Sequence, residues 1–150
     1  MEYARNTSVS IDSSRAEVDR LLRRAGARKC MSGWDEDRAF VAFVLDNVPI
    51  KISIPMPVKG KYVQTETGRH RKQSVANQAW EQACRQRMRE FCLLLKSKLV
   101  AVSIGLRSLE HEFYADICLP ATGKTIFETQ GSFISEAISS GKLQPLLPGM

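Results

Sequence analysis

The stretch KCMSGWDEDRAFVAFVLDNVPIKISIPMP, residues 29–57, decides the fold. Aromatic and β-branched residues alternate or run together in it, and the acidic pieces between them are typical of turns. Asp46-Asn47 has the composition of a tight hairpin turn, and Pro55 ends the last apolar run. The pattern predicts three antiparallel strands, near residues 28–34, 38–45 and 48–54.

Helical patterns lie on both sides of this stretch. Residues 7–11 favour a short edge strand, and a first helix follows with Ser14 and Glu17 at capping-box spacing and Gly26 at its end. Downstream, apolar positions at intervals of three and four predict a long helix over residues 75–104, capped by Ser74. Shorter helical patterns follow Gly105. The sequence therefore predicts an α+β fold of order β-α-β-β-β, with a small antiparallel sheet packed on the long helix and further C-terminal helices.

The long helix carries two cations close to its apolar stripe. On a helical wheel, Arg87 and Lys98 fall within roughly 20° of Trp80. Burying either cation without a partner would cost several kcal/mol, roughly as for other buried charges. We therefore predict that the core stripe is rotated away from them, and that Arg87 and Lys98 line one rim of a groove. The rotated stripe consists of Cys84, Met88, Leu95, Leu99 and Val102.

Composition is consistent with one domain over residues 1–150 and with an anionic partner. The chain has 43% hydrophobic residues and a net charge of +6. Residues 59–72 and 85–98 each hold five Lys or Arg against one acid, so these two windows contribute +4 each. A positive charge concentrated in this way is typical of nucleic-acid binding proteins.

The first basic window lies in a glycine-punctuated segment, residues 58–73, which we predict to be a flexible basic loop. Its cations can neutralise phosphates, and aromatic rings near it can stack on bases. A groove between sheet and helix, covered by this loop, suits a single strand better than a duplex. The predicted nucleic-acid-binding residues are Lys59, Lys61, Tyr62, Arg69, Arg71, Lys72, Trp80, Arg85, Arg87, Arg89, Lys96 and Lys98.

Catalytic and metal-binding patterns are weak. ATGKT, residues 121–125, resembles the end of a phosphate-binding loop but lacks its first glycine, so we interpret it as a turn. His111 and Glu112 are more consistent with a solvated helix face than with a metal site. The four cysteines form no CxxC pair, which favours a reduced thiol state inside a cell. The sequence makes no positive case for an enzyme and predicts neither a cofactor nor a metal.

A second function class stays open. Trp34 and the acidic turn at residues 35–37 form either a hairpin tip with Trp34 folded onto the core or a tip that contacts a protein partner. In the latter case the chain would be an interaction module that inhibits or recruits a host factor. Affinity for oligonucleotides would discriminate between the two classes.

The segments GWDEDRAFVAFVLDNVPIKISIPMP and AWEQACRQRMREFCLLLKSKL resemble a family of small, largely uncharacterised proteins of bacteriophages and prophages. The resemblance covers residues 7–148, departs at Met88 and Val100, and implies a phage context without an established activity. The predicted order of elements is similar in outline to that of phage single-strand annealing proteins. We therefore expect a cytoplasmic protein of the bacterial host cell that binds single-stranded DNA in recombination or replication. A homo-oligomer or a host protein stays open as a further partner, and no membrane segment is predicted.

Overall fold

A computed structural model describes residues 1–35 and 37–141. Four helices and three strands follow one another in the order α1-β1-β2-β3-α2-α3-α4, and the architecture is α+β, as predicted. The helices are α1 (Ile11–Arg24), α2 (Gln73–Ser103), α3 (Leu109–Phe113) and α4 (Ile126–Ser140). The strands are β1 (Arg28–Trp34), β2 (Arg38–Leu45) and β3 (Val48–Pro55). No helix among the described residues has the length and apolarity that crossing a bilayer requires.

The sheet confirms the three predicted strands and their turn. It is antiparallel in the order β1-β2-β3, with Val41 opposite Ile52 and Phe43 opposite Ile50. Asp46 and Asn47 both have positive φ, 48° and 66°, which is the conformation of a type I′ hairpin turn. This turn matches the twist of the flanking strands and thereby sets their register.

The N-terminal segment differs from the prediction. Residues 7–11 form no strand, because Ser10 caps α1 by accepting a hydrogen bond from the Ser13 amide. The predicted cap residue Ser14 lies one turn inside the helix, where it is fully buried. A serine at the start of a helix can accept a hydrogen bond from a backbone amide of the first turn. Ser10 makes this bond here, and Ser14 does not. Gly26, with φ of +80°, ends the helix as predicted.

The core lies between one face of the sheet and α2. Alternate residues of β2 and β3 point into it, and α1 packs beside α2 with Val18 and Leu22. The predicted rotation of the stripe is confirmed at Cys84, Met88, Leu95 and Leu99, whereas Val102 is only partly buried. Phe91 and Cys92 also belong to the buried face, so that face is broader than predicted. Trp80 lies at its margin, partly buried against the core.

After β3, the observed ends of the helices agree with the prediction to within a few residues. Helix α2 begins two residues earlier than expected because the Lys72 carbonyl accepts from the Ala76 amide, so Ser74 is not its cap. Gly105 follows its end with φ of +72°. The turn predicted at residues 121–125 is confirmed, with Gly123 at φ of +67°. Thr125 then caps α4 in a capping box with Glu128.

Candidate nucleic-acid interface

The basic segment at residues 58–73 is folded onto the first turns of α2. It begins with a 3-10 turn, Lys59–Tyr62, and continues into a small hairpin in which Gln64 pairs with His70. The Arg71 amide donates to the Val63 carbonyl at 2.8 Å and the Arg71 guanidinium to the Tyr62 carbonyl at 3.1 Å. These two hydrogen bonds connect the two ends of the hairpin in residues 58–73. The predicted flexibility of this segment stays a prediction.

The predicted groove between sheet and helix is present only at one end of the sheet. There it has a volume of about 870 Å³ and is lined by Trp34 of β1, Trp80 of α2 and Lys59 of the basic segment, among others. Along the rest of α2 the groove does not form, because the apolar faces of sheet and helix pack directly together, which removes more apolar surface from water than an open groove would.

A second concave surface lies on the outer face of α2, between the basic segment and the N-terminal residues. It has a volume of about 610 Å³, and we refer to it as the α2 cleft. On the helix side its wall carries the amides of Gln82 and Gln86 and two alanines. The remaining wall includes three cations, one carboxylate and one aromatic ring, namely Arg5, Lys61, Arg71, Glu66 and Tyr62.

Gln82 holds the N-terminal segment across α2. Its Nε2 donates to the carbonyls of Arg5 and Thr7, both at 3.0 Å. Its Oε1 accepts from Arg85, whose Nε and Nη2 lie 3.1 and 2.6 Å away. The predicted residue Arg85 is thereby held by Gln82 and does not itself line the cleft. Sequence reasoning missed Arg5, Gln82 and Gln86, because a single glutamine or an N-terminal arginine carries no periodic or motif signal.

Three of the predicted cations are engaged in ion pairs. Arg89 Nη1 donates to the Glu17 carboxylate of α1. Arg87 Nε lies 3.1 Å from the Glu90 carboxylate, and its Nη1 donates to the Pro55 carbonyl at 2.9 Å. Lys98 is paired as described below. The placement of Arg87 and Lys98 on one rim of a groove is therefore wrong, because nearby carboxylates and carbonyls hold both cations.

Lys98 is bound under α3. Its Nζ lies 2.7 Å from the Glu112 carbonyl, 3.3 Å from the Glu112 carboxylate and 3.9 Å from Asp116. It also lies 5.1 Å from the centroid of the Phe113 ring. Burial raises the pKa of Asp116, and Lys98 opposes this rise. Glu112, weighed as a metal ligand with His111, instead pairs with Lys98 and Arg107. Among residues 1–35 and 37–141, no cluster of three or more His, Cys, Asp or Glu has a metal-binding arrangement.

The two predicted aromatic residues have different environments. Tyr62 lines the α2 cleft and is half-buried. Trp80 Nε1 donates to the Pro57 carbonyl at 2.8 Å, and Lys59 Nζ lies 5.2 Å from its ring centroid. The Trp80 ring is already in contact with Lys59 and hydrogen-bonded to the chain after β3. Tyr62 is therefore the better candidate for stacking on a base.

The remaining predicted residues are solvent-exposed. Arg69 and Lys72 are exposed on the basic segment, and Lys96 is exposed on α2. Trp34 is partly buried against the core, with the Arg15 guanidinium 5.2 Å from its ring, and also lines a groove shared with Trp80, Asp35 and Asp37. Trp34 is therefore folded onto the core, as in the first of the two interpretations, while contact with a protein partner stays a prediction. Glu36, part of the predicted acidic turn, lies outside the described residues.

Comparison with known proteins adds no relative. The chain matches no family model, no curated protein and no solved structure. The resemblance to phage proteins therefore stays a prediction, and the functional argument depends on the residues of this chain.

The pair between Arg89 and Glu17 gives a pH-dependent stability prediction. The hydrogen bond from Arg89 lowers the pKa of Glu17 from its ordinary value of 4.5. A carboxylate with a lowered native pKa stabilises the fold above its unfolded pKa, and this contribution is lost as the pH falls through the native pKa. We expect Glu17→Gln to lower the free energy of unfolding by about 1 kcal/mol at pH 7, since the pair is partly exposed.

Urea unfolding of the wild type and the Glu17→Gln variant between about pH 7 and pH 3 measures this effect. The difference in unfolding free energy between wild type and variant is expected to shrink below about pH 4.5 and to vanish once Glu17 is protonated in both the native and the unfolded wild type. Glu136→Gln, the same chemical change at an exposed position of α4, serves as the control. A difference that stays constant across this range would contradict the assignment.

Proposed function

We propose that this protein binds single-stranded nucleic acid in the α2 cleft. The observation that carries the proposal is the convergence of three cations, Arg5, Lys61 and Arg71, on a concave surface whose lining includes one carboxylate, Glu66. Arg5 also pairs with Glu2 at 3.2 Å, but both side chains are exposed, so solvent screens this pair. Because cations attract the phosphates of a nucleic acid, such a surface supplies both affinity and a path for the backbone.

A second hollow continues this path. It lies at the N-terminus of α2, has a volume of about 510 Å³ and is lined by Lys59, Arg71, Gln73 and Asn77 among others. Arg71 lines both hollows. The N-cap residue Lys72 makes no side-chain capping bond, so amides of the first turn keep their hydrogen-bonding capacity. The positive end of the helix dipole favours a phosphate at this place.

The α2 cleft also has groups that suit unpaired bases. Tyr62 supplies a ring for stacking, and Gln86 supplies an amide oxygen that can accept a hydrogen bond. The Gln86 Nε2 donates to Glu90 at 3.1 Å, and the Gln82 amide is engaged with Arg5, Thr7 and Arg85. A volume of about 610 Å³ lies within the range of small-molecule sites, which is the scale of one or two nucleotides. A duplex would not enter it, because paired bases present only their edges in the grooves.

The proposed biological setting follows from the resemblance alone. A bacteriophage or prophage protein with this property would act on single-stranded DNA, by binding or annealing, during recombination or replication in the cytoplasm of the bacterial host. The choice between DNA and RNA is a direct outcome of the binding experiment.

The test removes charge from the cleft without changing side-chain length greatly. We expect Lys61→Gln combined with Arg71→Gln to weaken binding of a fluorescent single-stranded oligonucleotide by about tenfold or more at low salt. The dependence of log K on log salt should lose about 0.7 for each phosphate contact removed. Fluorescence anisotropy at several salt concentrations, with single-stranded DNA, RNA and duplex DNA, measures both quantities.

Two matched variants make the result specific. Arg23→Gln with Arg24→Gln removes the same charge from the exposed end of α1 and should leave affinity nearly unchanged. Lys61→Gln alone avoids loss of the bond from Arg71 to Tyr62, so it separates charge from loop structure. Equal losses in the α1 and cleft variants, or no binding by the wild type at low salt, would refute the proposal.

A further inference from the structure

The groove at the end of the sheet differs in chemistry from the α2 cleft. We call it the tryptophan groove, and its volume is about 870 Å³. It is lined by Trp34, Asp35, Asp37, Val58, Lys59, Gly60 and Trp80. Two aromatic rings and two carboxylates therefore share this groove with one lysine. Because carboxylates repel phosphates, a ligand of this groove needs a part that is not anionic.

The tryptophan groove is continuous with the proposed path of the nucleic acid. Lys59 and Gly60 line both this groove and the hollow at the N-terminus of α2. Arg71 lines that hollow and the α2 cleft. Since neighbouring hollows share lining residues, a strand that leaves the α2 cleft past the start of α2 reaches the tryptophan groove next.

Trp34 supplies the groove with a ring surface for stacking. The ring is partly buried against the core, and the Arg15 guanidinium lies 5.2 Å from its centroid. Arg15 lines a separate small hollow beside Trp34 and does not line the groove, so it leaves the groove side of the ring accessible. The Trp80 ring, in contrast, is in contact with Lys59. A base that enters the groove can therefore stack on Trp34.

Asp37 supplies the groove with a hydrogen-bond acceptor in a defined position. Its backbone carbonyl accepts from the Met56 amide at 2.8 Å, which holds the turn between β1 and β2 beside the end of β3. In the part of the chain that the structure describes, the Asp37 carboxylate takes part in no hydrogen bond or ion pair. A carboxylate has only acceptor sites, so the ligand group that meets it has to be a donor.

We propose that the tryptophan groove binds an unpaired guanine, with the base stacked on Trp34 and its Watson–Crick edge hydrogen-bonded to Asp37. Guanine presents two neighbouring donors on this edge, N1–H and the N2 amino group, and one carboxylate can accept from both. Adenine and cytosine have a ring-nitrogen acceptor beside their amino group, and thymine has carbonyl oxygens on both sides of N3–H. The inference rests on the proposed function, since it names the base that the bound strand places in this groove.

The charges of the groove suit a nucleotide better than a cationic side chain of a partner protein. A nucleotide joins a neutral base to an anionic phosphate. Lys59, which lies where the groove meets the hollow, can pair with the phosphate while the base meets Asp37. A lysine or arginine of a partner protein would instead meet Lys59 at the Trp80 ring, where like charges repel.

The test compares oligonucleotides that differ in one base. A fluorescent oligothymidine of about ten nucleotides is compared with strands in which one thymine, at successive positions, is replaced by guanine, adenine or cytosine. Guanine at one or more positions should raise the affinity about tenfold, the scale of a good paired contact to a base, whereas adenine and cytosine should not. Hypoxanthine, which keeps N1–H but lacks the amino group, should give a smaller gain. Fluorescence anisotropy at constant low salt measures these affinities.

Asp37→Asn separates base recognition from charge. The variant should lose most of the preference for guanine, because its amide has a single acceptor and adds a donor. Its affinity for oligothymidine should stay equal or rise, because the removed charge repelled phosphates. A purely electrostatic role of Asp37 would raise the affinity for all strands equally and keep the preference. Asp46→Asn, in the exposed turn between β2 and β3 where asparagine accepts positive φ, is the matched control and should behave as the wild type.

Tryptophan fluorescence gives a second measurement. The chain has two tryptophans, so Trp34 alone remains in the Trp80→Phe variant. Strands that contain guanine at the preferred position should quench its fluorescence more than oligothymidine does at equal saturation, because a stacked base lies directly on the ring.

The outcomes distinguish this inference from the proposed function. A wild type that binds no oligonucleotide at low salt refutes both. Binding that is weakened by Lys61→Gln with Arg71→Gln but shows no preference for guanine overturns the guanine site alone. A preference for guanine that Asp37→Asn keeps does so as well, since it places the recognition of the base elsewhere.

Discussion

Replacing Phe113 by alanine is expected to lower the free energy of unfolding by about 4 kcal/mol, within the range for large aromatic-to-alanine changes in cores. The Phe113 side chain is fully buried, and its ring meets Phe43 edge-on, with centroids 6.0 Å apart and planes at 86°. The substitution removes this contact and leaves a cavity between α3 and the sheet. It also removes the ring beneath the Lys98 ammonium group.

Urea unfolding followed by circular dichroism measures the loss. Phe133→Ala is the matched control, since it makes the same chemical change on α4, where Phe133 is 53% exposed. The control should change the free energy of unfolding by less than about 0.5 kcal/mol. If the two variants were equally stable, α3 would not pack on the sheet as described.

The second large effect concerns Lys98. We expect Lys98→Gln to lower the free energy of unfolding by about 2 to 3 kcal/mol, somewhat below the loss for a fully buried pair. The lysine is 18% exposed and its partners Glu112 and Asp116 are 13% and 25% exposed. Without Lys98, Asp116 keeps most of its desolvation penalty and loses its compensating charge, and Glu112 is left with Arg107, 3.3 Å away.

Two further variants and the pH dependence of stability show whether the loss in Lys98→Gln comes from its ion pairs. Lys96→Gln removes an exposed lysine two residues earlier and should be nearly neutral. Lys98→Gln with Glu112→Gln should lose less than the sum of the two single variants, because each single variant already removes the same Lys98–Glu112 ion pair. Removal of Lys98 should raise the pKa of Asp116 further, because burial already raises it and Lys98 opposes that rise. A carboxyl with a raised native pKa destabilises the fold at neutral pH, so the deficit of Lys98→Gln should shrink as the pH falls from 7 toward 4.

Measurement of thermal or urea unfolding at these pH values checks the assignment. A Lys98→Gln variant as stable as Lys96→Gln would show that the ion-pair cluster contributes little. A deficit that grew on acidification would contradict the role of Asp116.

Local patterns predicted the elements of this fold well. The three strands, the Asp46-Asn47 turn and the end of α1 at Gly26 follow from β propensity and from residues that accept positive φ. These preferences depend on neighbours in sequence, so they are readable without the fold. The helix starts were less accurate, because Ser10 and Ser14 are both good caps by residue type and the local sequence does not choose between them.

The candidate site was predicted only in part. Lys61, Tyr62 and Arg71 were predicted from the charge and composition of their segment, and they line the α2 cleft. Arg87, Arg89 and Lys98 were predicted from the same charge signal but are engaged in ion pairs. A net charge over a window does not indicate whether each cation has a carboxylate beside it. That depends on distant residues such as Glu17, brought to Arg89 by the packing of α1 on α2.

The sequence by itself determined that this chain forms a small antiparallel sheet, a long amphipathic helix and a locally concentrated positive charge. Propensity, periodicity and composition are properties of short segments, and they suffice for these features. Only the tertiary structure decided which side of α2 is open, which cations are neutralised and where a cleft lies. The physical reason is that cavities and ion pairs form between segments far apart in the chain, where close packing and the cost of leaving buried charges unpaired select the contacts.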